Sequence, residues 1–384
     1  MDRLDKTIEI LEKLIAFPTI SLDSNQACVD WIIEYLEPFG ARCQVSSDTP
    51  GKANIFATIG PDVDGGLILS GHLDVVPVMG QDWSSDPFKL REEAGFLFGR
   101  GTCDMKGFIA VCLALAPEFA AAQLTRPVHF AFTYDEETGC LGAPVLLDEL
   151  VKTGLRPSVA IIGEPTSMQI IEGHKGCCEY TVEFTGVEGH SSLPDVGLNA
   201  LEYATRYVTE LMRLRQELRS RAPKGSRFEP PHTTLQVCML EAGIAHNVIP
   251  NKALVGWEMR PVQTSDLDYV RGKIRAFTTD VLLPEMKLKY EAADIEEIFI
   301  SEVVGLEPDS DSEAVAIVRT LTGRNETDVV SFGTEAGLFQ KAGVSAVICG
   351  PGSIEQAHKP DEYVSREQLS SCLQMLSRMV EKLS

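Results

Sequence analysis

The chain has 384 residues, 44% of them hydrophobic and 23% charged, which predicts a folded, soluble protein of about two domains and excludes a disordered chain. A formal net charge of −22 and a pI near 4.7 exclude a nucleic-acid partner, which needs a basic footprint, and an anionic membrane surface. The same acidity favours sites for cations.

The first element predicted is a helix in "MDRLDKTIEILEKLIAFPTIS", where Leu4, Ile8, Leu11, Leu14 and Ile15 recur at helical spacing between charges. It lacks the apolar run of a signal peptide. Next come a short strand, Leu67 to Leu69, and directly after it "SGHLDVVP" with His72 and Asp74. Asp104 stands in the glycine-flanked turn "GRGTCDMKG". The following "GFIAVCLALAPEFAAA" is interrupted by Pro117 and Glu118 and is too short to span a bilayer, so it predicts a buried helix. The strands "VHFAFT" and "VAII" lead into "YDEETG" (Asp135, Glu136, Glu137) and "GEPTS" (Glu164). Near the end, "AVIC" leads into "GPGSIEQAHKPDEY" with His358. Short apolar runs alternating with helical patterns define an α/β class with a mainly parallel or mixed sheet.

The middle of the chain has a different rhythm. "EYTVEFTG", a long helical pattern from Asn199, "TTLQVCML", "ALVGWEMR" and a further helix from Leu267 give a β-α-β-β-α order, which predicts a small, ferredoxin-like α+β domain. Its acidic and basic side chains balance, so the excess acid lies in the flanks. The expected organisation is one domain from 1–176 and 291–384, with 177–290 inserted. The ten cysteines show no C-x-x-C pair, and without a secretory signal they predict buried thiols in a reducing cytoplasm.

Ligands of open α/β sheets bind beyond the carboxyl ends of the strands. His72, Asp104, the Glu136 and Glu137 pair, Glu164 and His358 all fall there or in a turn before a helix. Singly each has a plain reading: Asp104 as a helix cap, the two glutamates as a solvated strand end, His358 as a surface residue. Together, on a chain with 7 histidines, they predict a metal centre. Imidazole and carboxylate suit Zn²⁺ or Co²⁺, and a bridging carboxylate lets two cations lie close together. Asp74 is expected to accept from the second ring nitrogen of His72 and fix its tautomer. Neighbouring residues of a strand face opposite ways, so one of Glu136 and Glu137 can bind metal while the other takes a proton from water; spacing does not assign them. His129, His174, His232 and His246 are assigned to core or surface.

These motifs, in this order, resemble those of the di-zinc aminoacylase/deacylase metallopeptidases, the group containing carboxypeptidase G, succinyl-diaminopimelate desuccinylase and acetylornithine deacetylase. "GRGTCDMKGF", "GEPTS", "SFGTEAGLFQ" and "QAHKPDEY" are most similar to the last branch. The resemblance implies a di-zinc exopeptidase-like catalytic domain with an inserted lid or dimerisation domain. It implies one zinc on His72, Asp104 and Glu164, a second on Asp104, Glu137 and His358, and Glu136 as general base. Glutamate at 164 fits the deacetylase and desuccinylase, whereas some peptide-cleaving relatives have aspartate. In the inserted domain the resemblance makes His190 the oxyanion donor and Asn247 and Arg260 substrate-binding residues, with Arg260 clamping an α-carboxylate; outside it, the resemblance makes Gly333 and Thr334 of "FGTEAG" further substrate contacts. The implied activity is metal-dependent hydrolysis of an N-acyl amino acid, N-acetyl-L-ornithine first, with a succinylated or broader substrate as the alternative, in a cytoplasmic homodimer. "GRGTCDMKG" lacks the third glycine of a dinucleotide fingerprint, and no G-x-S-x-G occurs.

Overall fold

The computed structural model describes residues 2–384, apart from the Phe299 side chain. The chain divides into two compact units: Met1–Gly173 with Pro308–Val329 and Thr334–Ser384, and His174–Glu307 with Val330–Gly333.

The first unit is built on an eight-stranded mixed sheet in the order Arg42–Ser46, Asn54–Ile59, Val128–Thr133, Leu67–His72, Val159–Pro165, Ser345–Gly350, Ile170–His174, Thr327–Val330. Val128–Thr133, Leu67–His72, Val159–Pro165 and Ser345–Gly350 run parallel to one another, while the first two strands are antiparallel. Three of these parallel strands are buried throughout, which is why they read as continuous apolar runs rather than alternating ones. Helix Lys106–Ala121 is buried along most of its length. A Cβ at Gly163 would enter the ring of Phe108 on that helix, so glycine there lets helix and strand approach closely. The amphipathic N-terminal helix Arg3–Ile15 buries Ile10, Leu11, Leu14 and Ile15. Lys106 Nζ donates to the Leu14 and Phe17 carbonyls at 3.0 and 2.8 Å, satisfying acceptors that a helix end leaves open. No helix among the described residues is long and apolar enough to cross a membrane.

His129, on Val128–Thr133, stacks on Phe56 at 4.8 Å and pairs through Nδ1 with the Thr58 hydroxyl at 2.9 Å. Burial, with a smaller contribution from Arg42, lowers its pKa from 6.5 to about 4. The unfolded chain therefore binds a proton that the folded chain refuses between those values, and stability falls as pH falls through this window. Urea unfolding at pH 7 and pH 4.5 should show wild type losing about 2 kcal/mol more than His129→Gln. Equal losses would contradict the assignment.

The second unit holds a four-stranded antiparallel sheet in the order Thr234–Ala242, Lys252–Arg260, Cys177–Thr185, Asp294–Val303. Burial alternates along Cys177–Thr185, with Cys178, Tyr180, Val182 and Phe184 inward, the two-residue period of a sheet covered on one face. Helix Ala200–Ser220 packs on this sheet through Tyr203, Tyr207, Leu211, Leu214 and Leu218. The Asn199 side chain caps it by accepting from Leu201 N at 3.0 Å. Helix Thr264–Phe277 precedes the last strand. The unit runs beyond the expected boundary at 290, because Asp294–Val303 pairs along Cys177–Thr185. The order thereby becomes β-α-β-β-α-β. Charged residues in "DIEEIFISEV" mask this strand in the sequence: its register to a distant strand sets its place.

Candidate metal centre

His72 is the last residue of Leu67–His72 and lies opposite Thr133 in the parallel register. Both strands thus end at one sheet edge. Tyr134 and the turn bearing Asp135, Glu136 and Glu137 follow Thr133, and Glu164 lies near the end of Val159–Pro165. Asp104 stands two residues before the helix starting at Lys106, and His358 stands in a turn after Ser345–Gly350 with φ of 62°. Asp104 does not cap its helix: the N-cap position is Met105 and no side chain bonds to the first turn.

The two oxygens of Asp104 face two different imidazoles. Oδ1 is 3.0 Å from His72 Nε2, and Oδ2 is 3.3 Å from His358 Nε2. His72 Nε2 also lies 3.9 Å from Glu164 Oε1, and His358 Nε2 lies 3.0 Å from Glu137 Oε2. His72, Asp104 and Glu164 are buried, whereas His358 is exposed. Two sets present ligand atoms mutually within 4.8 Å: His72, Glu136 and Glu164, and His72, Asp104 and Glu137. Glu136 therefore reaches the same space as His72 and Glu164.

Asp74 differs in detail from its expected contact. His72 Nδ1 lies 2.9 Å from the backbone carbonyl of Asp74 and 3.6 Å from its carboxylate. The tautomer is fixed by the carbonyl, with Nδ1 donating and Nε2 turned to Asp104. The Asp74 carboxylate instead accepts from Ser21 Oγ at 2.7 Å and from the backbone N–H groups of Glu136 and Glu137 at 3.0 and 3.3 Å. It clamps the turn that carries both glutamates.

Electrostatics explain why such a set calls for cations. Burial pushes the carboxyls of Glu136 and Glu164 well above the usual range, with Glu137 adding to the first and Asp104 to the second, while His72 offsets part of both. Glu137 is raised too, by burial and then by Asp104. Hydrogen bonds to Asp104 and then Glu137 lift His358 to about 10 against opposing burial. Burial opposes a charge on His72, but Asp104 and Asp74 prevail and hold it well above its ordinary value. Burial would raise Asp104, yet its bonds from His358 and His72 prevail and lower it. Protons thus crowd onto a group of carboxylates that cannot all ionise side by side. A divalent cation relieves that repulsion, and imidazole with carboxylate is a donor set for Zn²⁺ or Co²⁺.

The remaining expected residues divide between the units. In the second, His190 ends the two-residue strand Gly189–His190, paired with Val248–Ile249, and Ser191 N donates to the Asn247 carbonyl at 3.0 Å. The exposed Asn247 side chain lies beside it in this unit. Arg260 donates through Nε and an Nη to Glu258 at 3.2 and 3.1 Å. Gly333 lies near Cys177. Thr334, in the first unit, is buried and its hydroxyl accepts from Ala336 N at 3.1 Å. This bond lies just ahead of the helix Ala336–Lys341. Two buried carboxylates went unnoticed in the sequence. Glu335 accepts from the hydroxyls of Ser70 and Thr133, beneath the strand ends that present His72 and the glutamates. Glu362 accepts from the backbone beside Asp104. Both lie inside the quoted motifs, where adjacent polar residues make them look solvated.

A model of Peptidase family M20/M25/M40 matches residues 68–382. An acetylornithine deacetylase of Proteus mirabilis (strain HI4320) is 34% identical over 387 residues, covering 99% of this chain and 97% of that protein. One from Pasteurella multocida (strain Pm70) is 33% identical over 388 residues, covering 99% and 98%. Among solved structures, an M20 family metallo-carboxypeptidase of Sulfolobus solfataricus superposes with a TM-score of 0.73 at 18% identity, covering 100% of this chain and 99% of that one. Aminopeptidase PepT of Bacillus cereus ATCC 10987 gives 0.73 at 16%, covering 99% and 98%. Fold, donor set and relatives define a metal-dependent hydrolase. The chain belongs to peptidase family M20/M25/M40.

Proposed function

We propose that the protein hydrolyses N-acetyl-L-ornithine to L-ornithine and acetate, the step that supplies ornithine for arginine biosynthesis, as a cytoplasmic homodimer carrying two Zn²⁺ ions that Co²⁺ can replace. The observation that carries the reading is the carboxylate of Asp104 set between two imidazoles, in a chain whose near full-length relatives are acetylornithine deacetylases. His72, Asp104 and Glu164 would hold one ion, and Asp104, Glu137 and His358 the other.

Metal bound there supplies Lewis-acid polarisation of the amide carbonyl and lowers the pKa of water. Glu136 takes the proton from the attacking water as its oxygen bonds to the acyl carbon. As the C–N bond breaks, Glu136 passes that proton to the departing amine nitrogen. His190 donates a hydrogen bond to the oxyanion. Its tautomer suits this: Ser192 N–H donates to His190 Nδ1 at 3.2 Å, so the neutral ring carries its proton on Nε2. Arg260 binds the substrate α-carboxylate, for which its guanidinium must exchange its bonds to Glu258. Asn247, Gly333 and Thr334 complete the substrate contacts.

The test is kcat/KM of the zinc-loaded protein for N-acetyl-L-ornithine, N-succinyl-diaminopimelate and N-acetylmethionine. The proposal predicts that acetylornithine leads by at least about tenfold. Preference for the succinyl substrate would make the protein a desuccinylase, and equal turnover of all three a broad amidohydrolase.

A further inference from the structure

Two of the proposed ligands that stand on loops, Asp104 and His358, are tied to each other by other buried groups. Glu362 is 1% exposed and accepts four N–H bonds. One oxygen takes Cys103 N at 2.9 Å and Asp104 N at 3.0 Å. The other takes Gly101 N at 3.1 Å and an Nη of Arg100 at 2.7 Å. The Glu362 carbonyl also accepts from Gly99 N at 2.9 Å.

Arg100, likewise 1% exposed, extends the tie to the His358 loop. Its guanidinium donates to the Lys359 carbonyl at 3.3 Å and to Gln81 Oε1 at 2.6 Å, and it lies 5.0 Å from the Trp83 ring centre. Gln81 Nε2 in turn donates to the His358 carbonyl at 2.9 Å. Backbone on both sides of the centre thus hangs from one buried carboxylate and one buried guanidinium. A buried carboxylate needs donors on its oxygens, and the chain supplies the backbone N–H groups of Gly101, Cys103 and Asp104, whereas Arg100 Nε is buried with no hydrogen-bond partner among the described residues. A neutral anchor would not serve: a glutamine amide in either orientation presents NH₂ to two N–H donors.

We propose that Glu362, oriented by Arg100, is the positioning residue of this centre, fixing the Asp104 carboxylate relative to His358 so that the pair is set before metal binds. The inference rests on the metal reading above. Supporting groups of this kind change metal affinity by about 10–100-fold when removed.

The experiment compares chelator-stripped wild type with Glu362→Gln. Co²⁺ affinity is read by competition with a chelator, and the thermal midpoint is read with and without metal. The expected result is an affinity about 10–100-fold weaker in the variant and a smaller metal-induced rise in midpoint. Affinity within twofold of wild type, with both midpoints lowered equally, would show a merely structural anchor and overturn the inference. Should Glu362→Gln fail to fold, Arg100→Lys keeps the carboxylate and its three backbone donors but loses the fork to Lys359 and Gln81. It is expected to bind Co²⁺ about tenfold more weakly, and unchanged affinity overturns the proposal. Wild type that takes no metal would overturn the metal reading and this inference together, whereas wild-type binding with unchanged variants overturns this inference alone.

Discussion

Replacing Glu136 by glutamine is expected to lower kcat for N-acetyl-L-ornithine by about three orders of magnitude while leaving bound metal in place. The Asp74 carboxylate fixes the Glu136 backbone, and the side chain shares its space with His72 and Glu164. Burial, reinforced by Glu137 and partly offset by His72, lifts its carboxyl well above the usual range. A carboxylate so placed can both take a proton from water and return it to an amine. Glutamine keeps the shape and removes the proton exchange. Since the base must start deprotonated, wild-type turnover should fall as pH falls, and this acid limb should flatten in the residual activity of the variant. Metal content by elemental analysis and kcat across pH 5–9 check both parts. Loss of metal together with activity would make Glu136 a ligand instead.

Asp104→Ala is expected to abolish tight binding of the metal pair. Only this carboxylate places one oxygen at His72 and the other at His358 among the described residues, so no neighbour can bridge in its stead. Losing a ligand shared by both ions should weaken metal affinity by more than the roughly 100-fold that a lost outer partner costs, and turnover should fall with it. The alanine also leaves His72 and His358 without the carboxylate that accepts from both imidazoles. Isothermal titration with Zn²⁺ should show two equivalents per wild-type chain and at most one, weakly held, in the variant. Two tight equivalents in Asp104→Ala would remove Asp104 from the bridging position.

The strand ends carried most of what could be read beforehand. His72, Glu164 and the Asp135 to Glu137 turn follow short apolar runs, and a buried parallel strand announces its own carboxyl end in the sequence. Asp104 and His358 were legible as members of that set, through their residue types and glycine-rich surroundings. What stayed hidden depends on partners far along the chain. Glu335 meets Ser70 and Thr133, 265 and 202 residues away, and Glu362 meets Cys103 and Asp104, 259 and 258 residues away. No local pattern separates such a carboxylate from a solvated one. The strand Asp294–Val303 escaped for the same reason, as did the bond of Arg260 to Glu258, which a reading of Arg260 as an open clamp did not foresee.

The most direct measurement is ornithine release from N-acetyl-L-ornithine by protein stripped with a chelator, before and after Zn²⁺ or Co²⁺ is restored. The account predicts no turnover above background in the stripped protein and recovery on adding metal, with Glu136→Gln staying inactive when loaded. Equal turnover with and without metal would contradict it.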